Sequence, residues 1–249
     1  MKILLPTAFL ICLLARPALA APDAEAILRQ AFANYRSSGS ESSVAMTIHR
    51  PEWERHMDLR AWTRGDDDAL VRFTAPAKDA GNATLKLVND TWVFNPKLNQ
   101  VIKLPASMMS QSWMGSDFSY DDLAKSEAIL TDYSHTVTAT TQVDGHTVWS
   151  IDAMPKPGAP VVWGKVTLQV RDDYVFLGQI FFDQDMKPAR RMTADKVDML
   201  DGRPYPVTMT MHPLDETDHW TRIETSGAKF NLDLPSYLFT LSNLQNPRS

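Results

Sequence analysis

Cysteine is all but missing from this sequence. Cys12 is the single one among 249 residues, and it stands inside an apolar run near the N-terminus. If that run is a removed leader, the mature chain has no thiol, which excludes disulfides, Cys-ligated zinc and a cysteine nucleophile together. Long apolar stretches are lacking too. The longest, residues 3–14, is interrupted by Pro6 and Thr7 and falls short of the ~20 residues that cross a bilayer. The ten glycines are scattered, with no G-x-G-x-x-G or Walker spacing to cradle a phosphate. No G-x-S-x-G elbow is present, Gly115-Ser116-Asp117 being the nearest cluster. None of the six histidines has another three to five residues away, so the chain has no H-E-x-x-H zinc helix. Positive charge is also in deficit, 25 Lys and Arg against 30 Asp and Glu, which argues against capture by nucleic acid.

What is present begins with an address. Lys2, the apolar residues 3–14 and the small-x-small triplet Ala18-Leu19-Ala20 read as a secretory leader, cleaved after Ala20, that sends the chain to the periplasm. Ile11 precedes Cys12 where a lipoprotein signal needs a small residue, so lipidation is not expected. Residues 21–249 contain no repeat and no Gly/Ser linker, and they read as one domain with enough length to bury a core without disulfides.

The pattern along that domain is antiparallel β. Asp23 caps a helix over residues 23–35, whose Ala26, Ile27, Ala31 and Phe32 fall on one face, and Ser37-Ser38-Gly39 stops it. Period-2 alternation then sets in: Val44, Met46 and Ile48, next Met57, Leu59 and Ala61, next residues 69–73 with Val71 and Phe73, followed by strands over 84–88, 91–95 and 100–104. The second half continues the meander from residue 133 to 225, with Asp144-Gly145 and Asp201-Gly202 as tight hairpin turns. Alternating helices are absent, which excludes a parallel βαβ fold, and a sheet of about a dozen strands should curl. Residues 107–124 break the rhythm, too polar for a strand and too apolar for a surface loop. Residues 234–239 read as a closing helical turn packed on the sheet.

Apolar side chains are in excess. Twelve methionines and seven tryptophans exceed ordinary packing needs, and methionine re-packs readily around flexible partners. A curled sheet would turn Met46, Ile48, Met57, Leu59, Val71, Phe73, Trp92, Phe94, Met209 and Met211 into a cavity for acyl chains. Met108, Met109, Trp113, Met114, Gly115, Asp117, Phe118 and Tyr120 would form a removable lid over it. Within that lid Gly115 supplies a special backbone conformation or a close approach, and Asp117 caps the helix starting near Ser119 or pairs with an arginine. No cofactor or metal is implied. His212 and His219 around Asp215 are the one grouping that a hydrolase reading can use, and Asp66-Asp67-Asp68, Asp121-Asp122 and Asp172-Asp173 read as solvated turns before they read as acid–base or calcium pairs.

Three strings, Trp92-Val93-Phe94-Asn95-Pro96, Val101-Ile102-Lys103-Leu104-Pro105 and Trp113-Met114-Gly115-Ser116-Asp117-Phe118-Ser119-Tyr120-Asp121-Asp122-Leu123, resemble the LolA-like family of outer-membrane lipoprotein-sorting proteins. Leu234-Pro235 leading to Phe239-Thr240 is similar to the family's C-terminal run. The resemblance implies an unclosed antiparallel β-barrel of about 11 to 12 strands with short helices over its concave apolar face. It also implies a monomeric periplasmic carrier rather than an enzyme, loaded by an inner-membrane transporter and unloaded by an outer-membrane acceptor. A cavity arginine that touches the lid belongs to the same picture, with Arg60 and Arg72 as its candidates. An accessory or sensor protein for a membrane exporter or signalling system is the alternative reading, and a periplasmic hydrolase a more distant one.

Overall fold

The computed structural model describes residues 22–125 and 127–248, so the expected leader, its cleavage site and Cys12 lie outside the described residues. Helix α1 (Ala24–Arg36) begins where expected. Asp23 is extended at φ −72° and its carboxylate accepts the backbone N–H groups of Glu25 and Ala26 at 3.0 and 3.2 Å, satisfying donors that no helical carbonyl can reach. The helix ends at Ser37, whose φ of 59° turns the chain away.

Six strands follow: β1 (Gly39–Arg50), β2 (Trp53–Arg64), β3 (Asp68–Ala75), β4 (Ala83–Leu87), β5 (Asp90–Asn95) and β6 (Gln100–Lys103). After an interruption come β7 (Tyr133–Val143), β8 (His146–Pro155), β9 (Lys165–Arg171), β10 (Phe176–Phe182), β11 (Pro188–Leu200), β12 (Arg203–Pro213) and β13 (Trp220–Phe230). The thirteen strands, against the eleven or twelve expected, form one antiparallel sheet in the order β6-β5-β4-β3-β2-β1-β13-β12-β11-β10-β9-β8-β7. Two hairpin meanders are thus joined where the first strand pairs with the last, Met46 opposite Ile223. Asp144-Gly145 and Asp201-Gly202 both have positive φ at their turns, as hairpin loops demand.

The sheet is not closed by hydrogen bonds. Its two edges, β6 and β7, are consecutive in sequence, and the segment between them carries the short helices α2 (Tyr120–Ala124) and α3 (Ala128–Asp132). Alternate residues face opposite sides of a strand. On one side Ile27, Leu28, Ala31 and Phe32 of α1 pack against Ile151, Val166, Leu168, Phe176 and Met211. On the same side, over the other wing, Trp113 packs with Met46, Ile48, Met57, Leu59 and Phe73.

The reverse side of the first wing has a core of its own. Leu70, Leu85, Trp92 and Phe94 are covered there by Phe239, in a 3-10 turn at Ser236–Phe239, and by Leu244 of helix α4 (Leu241–Gln245). Arg72 donates to the carbonyls of Asn243 and Leu244 at 2.8 and 3.1 Å and holds that cover in place. Two expected cavity residues are corrected here: Trp92 and Phe94 point to the convex side, since Thr91, the neighbour of Trp92 on β5, takes the inward parity. Leu28, Phe73 and Met211 on the concave side and Leu70 and Leu85 on the convex side are 1% exposed or less, so both layers are packed to the core. Replacing Phe239 by Ala is expected to cost about 3–5 kcal/mol, read as a lowered midpoint in urea, with the concave side unaffected in its ligand-free tryptophan spectrum.

Candidate functional site

Between α1 and the interrupting segment the concave face encloses a cavity of about 390 Å³, within the range of small-molecule pockets. Its floor is built from the inward residues of both wings, Val44, Leu59, Ala61 and Val71 on one and Leu168, Phe181, Met209 and Met211 on the other. Of the ten residues expected to form the cavity, Leu59, Val71, Met209 and Met211 line this space. Met46, Ile48, Met57 and Phe73 share the concave parity but lie beneath Trp113, at 1% exposure or less. They form a packed end wall beside the cavity.

The expected lid residues fold into a compact plug. Ser112 bridges Ser119, the Trp113 N–H donates to the Phe118 carbonyl at 2.7 Å, and the Ser116 N–H returns to the Trp113 carbonyl at 2.9 Å. The two central residues of this turn, Met114 (φ 55°) and Gly115 (φ 80°), are both left-handed, the pattern of a type I′ turn. A Cβ on Gly115 would meet nothing within 4 Å, so its backbone conformation, and not a close approach, calls for glycine. Ser119, not Asp117, caps α2, in a reciprocal pair with Asp122. Trp113 reaches down to Phe73, ring centroids 5.3 Å apart, and donates its indole N–H to Thr84 Oγ1 at 3.1 Å. Phe118 lines the cavity with it; Met114 and Tyr120 pack against the end wall, and Met108 and Met109 are half-buried.

Arginines lash the plug to the sheet. Arg50 holds Asp117 through both nitrogens, at 2.9 and 3.2 Å, and Thr221 donates to the same carboxylate at 2.6 Å. Arg55 donates to the Met114 carbonyl at 3.2 Å. Arg190 grips Asp122 at 2.8 and 2.9 Å and the Asp117 carbonyl at 3.0 Å, with its guanidinium over Trp163. The candidates Arg60 and Arg72 are corrected by parity: both project to the convex side, Arg60 paired with Glu41 and Arg72 with α4. At the opposite side of the cavity, Arg36 at the end of α1 pairs with Glu127, and Lys86 of β4 stands 3.9 Å from the same carboxylate. Sequence reading missed this group because Lys86 alternates with Leu85 and Leu87, and a charged alternate position reads as a solvent-facing one. Burial, with Asp132 adding to it, pushes the Tyr133 phenol up to about 12, where it remains a donor to the Trp163 carbonyl at 3.3 Å.

The hydrolase constellation does not assemble. His212 faces Arg191 in register on β11, while His219 bonds Glu216 in the connection before β13. Asp68 pairs with Arg64, Asp173 with Arg171, and Asp172 with His146. Among the described residues no group of three or more His, Cys, Asp or Glu is placed to hold a metal ion.

A curled, unclosed antiparallel sheet with a plugged apolar cavity defines the class of the LolA-type fold. Solved structures agree. A DUF1329 family protein from Desulfovibrio piger superposes with a TM-score of 0.80 at 21% identity, covering 88% of this chain and 97% of its own. A putative outer membrane lipoprotein-sorting protein domain from Vibrio parahaemolyticus gives 0.77 at 21%, over 89% and 98%. A LolA superfamily protein from Nitrosomonas europaea gives 0.73 at 22%, over 88% and 98%. The family model that matches, described as that of an uncharacterized protein, spans residues 65–246, and the chain belongs to that family, with a fold of the LolA type. No curated protein sequence matches the chain.

Two outcomes follow from the clamps. Asp117→Ala removes the carboxylate held by Arg50, which keeps its bonds to the His49, Trp220 and Gly115 carbonyls, so a loss of about 1.5–3 kcal/mol is expected, together with faster amide exchange around Trp113. His49 stacks on Trp220 at 4.8 Å beside Arg50, and its hydrogen bond to Glu54, then Asp218, raises its pKa. That contribution to stability is complete below the unfolded imidazole value of about 6.5 and is lost as pH rises through the higher folded value. His49→Gln should remove that slope from urea midpoints measured across pH 5 to 9.

Proposed function

We propose that this protein is a soluble periplasmic carrier that takes acyl chains of lipoproteins or lipids into the cavity and passes them toward the outer membrane without covalent chemistry. The observation that carries this reading is the apolar space beneath the plug, walled by Leu59, Val71, Phe181, Met209 and Met211. Each buried CH₂ contributes about 0.8 kcal/mol, so a sixteen-carbon chain offers roughly 10 kcal/mol of gross burial before ordering costs. Such a value suits reversible carriage. The LolA type of its fold supports it, as does the outer membrane lipoprotein-sorting role in the name of the structurally similar Vibrio domain. No helix among the described residues is long and apolar enough to cross a membrane. In this reading residues 1–20 are the leader, removed after Ala20. An inner-membrane transporter would load the monomeric carrier and an outer-membrane acceptor would empty it.

Native mass spectrometry of protein isolated gently from its own periplasm is the test. A stoichiometric lipid or acylated peptide is expected; an empty protein that gains no mass when offered lipids would overturn the reading. Ala61→Leu, which fills the floor with the bulk of about three methylenes, should weaken acyl-chain binding about 10- to 50-fold. Trp92→Asp, on the convex side, should lower stability and leave the acyl affinity of the folded fraction as it was.

A further inference from the structure

Apart from Arg190 Nε within the clamps, the buried donors without a partner among the described residues gather in one group beside the plug. Arg36 is 7% exposed and lines the cavity. Its Nη1 donates to Glu127, but its Nε and Nη2 are buried and have no hydrogen-bond partner among the described residues. Lys86, 8% exposed, lines the same space, donates to the Asp66 carbonyl and faces Glu127 at 3.9 Å. Directly across the β4–β5 pairing from Lys86 stands Thr91, 3% exposed, whose hydroxyl also lines the cavity without a partner. Two buried cations therefore answer to one buried anion. Of the other acids of the cavity wall, Asp122 pairs with Arg190 and Asp132 accepts from the Thr131 hydroxyl, while Asp121 has the exposed Lys125 ammonium 2.9 Å from a buried Oδ1 that accepts no hydrogen bond.

Unpaired buried donors are costly, and a guanidinium edge with two free N–H groups matches the two oxygens of a carboxylate or phosphate. We propose that the cavity receives an anionic amphiphile, its carboxylate or phosphate head bound by Arg36, Lys86 and Thr91 while its acyl chain lies along the apolar floor. This rests on the acyl-carrier reading and deepens it by naming the charge of the cargo. Burial holds the Lys86 ammonium below its ordinary value, with Glu127 and the exposed Asp66 and Asp67 pulling the other way. An incoming anion would supply what Glu127 alone does not. A neutral acyl chain would leave both the surplus charge and the open guanidinium edge as they are.

The experiment uses delipidated mature protein and three single-chain probes below their aggregation concentrations: palmitate, palmitoyl lysophosphatidic acid and the neutral 1-hexadecanol. Binding is followed by mass gain and by fluorescence of Trp113 and Trp163, which line the cavity. At least one anion should bind ten-fold or more tightly than hexadecanol. The tighter of the two tells a carboxylate cargo from a phosphate one. Arg36→Met and, separately, Lys86→Met should reduce that preference to less than two-fold, and Glu127→Gln should increase it. Equal affinity for all three probes in the unaltered protein would overturn the anionic site and leave acyl carriage standing. So would a preference that survives in both the Arg36 and the Lys86 variants. If no probe binds, the carrier reading itself fails.

Discussion

The interrupting segment has to cross from one edge of the sheet to the other. β6 and β7 follow one another in the chain and yet stand at opposite ends of a thirteen-strand order. Residues 104–132 must span whatever distance the curl leaves, and they do so over the concave face, with Trp113, Phe118 and α2 facing inward. The cavity and its cover are therefore one consequence of strand order. Twist curls the sheet, the missing β6–β7 ladder leaves it open, and the connecting chain is drawn across the opening.

A segment made to cross an apolar hollow must also be held there. Hydrophobic burial supplies part of that through Trp113 against Phe73, but burial has no direction. Direction comes from Arg50, Arg55 and Arg190, each on a different strand, whose guanidinium groups fix Asp117, the Met114 carbonyl and Asp122 at set places. The desolvation cost of buried ion pairs offsets much of their attraction, so their net stabilisation is small. Here they set the height of the plug above the floor, and so the depth of the space that remains.

Much of this was legible in residues. Asp23 as a cap, the meander with its Asp-Gly turns, the break at residues 107–124 and the closing turn before Phe239 follow from local rules of capping, alternation and positive φ, which tertiary contacts did not override. The motif strings around Trp92 and Trp113 were equally readable as a family resemblance. Misassignment came where a strand is apolar on one face and the sequence does not say which way that face points. Trp92 and Phe94 have the alternation of cavity residues, but α4 gives the convex side a core of its own. Arg60 and Arg72 fell with them for the same reason of parity.

By itself the sequence determined α1, the succession of antiparallel strands and the inward or outward grouping within each strand, because these depend on neighbours one to four residues apart, though not the short helices α3 and α4. Tertiary structure alone decided which group became the floor, how far Trp113 fills it, and that Arg36 meets Glu127 across 91 positions of chain. Those depend on the curl of the whole sheet, a sum of small twists over thirteen strands. No window of residues contains that sum.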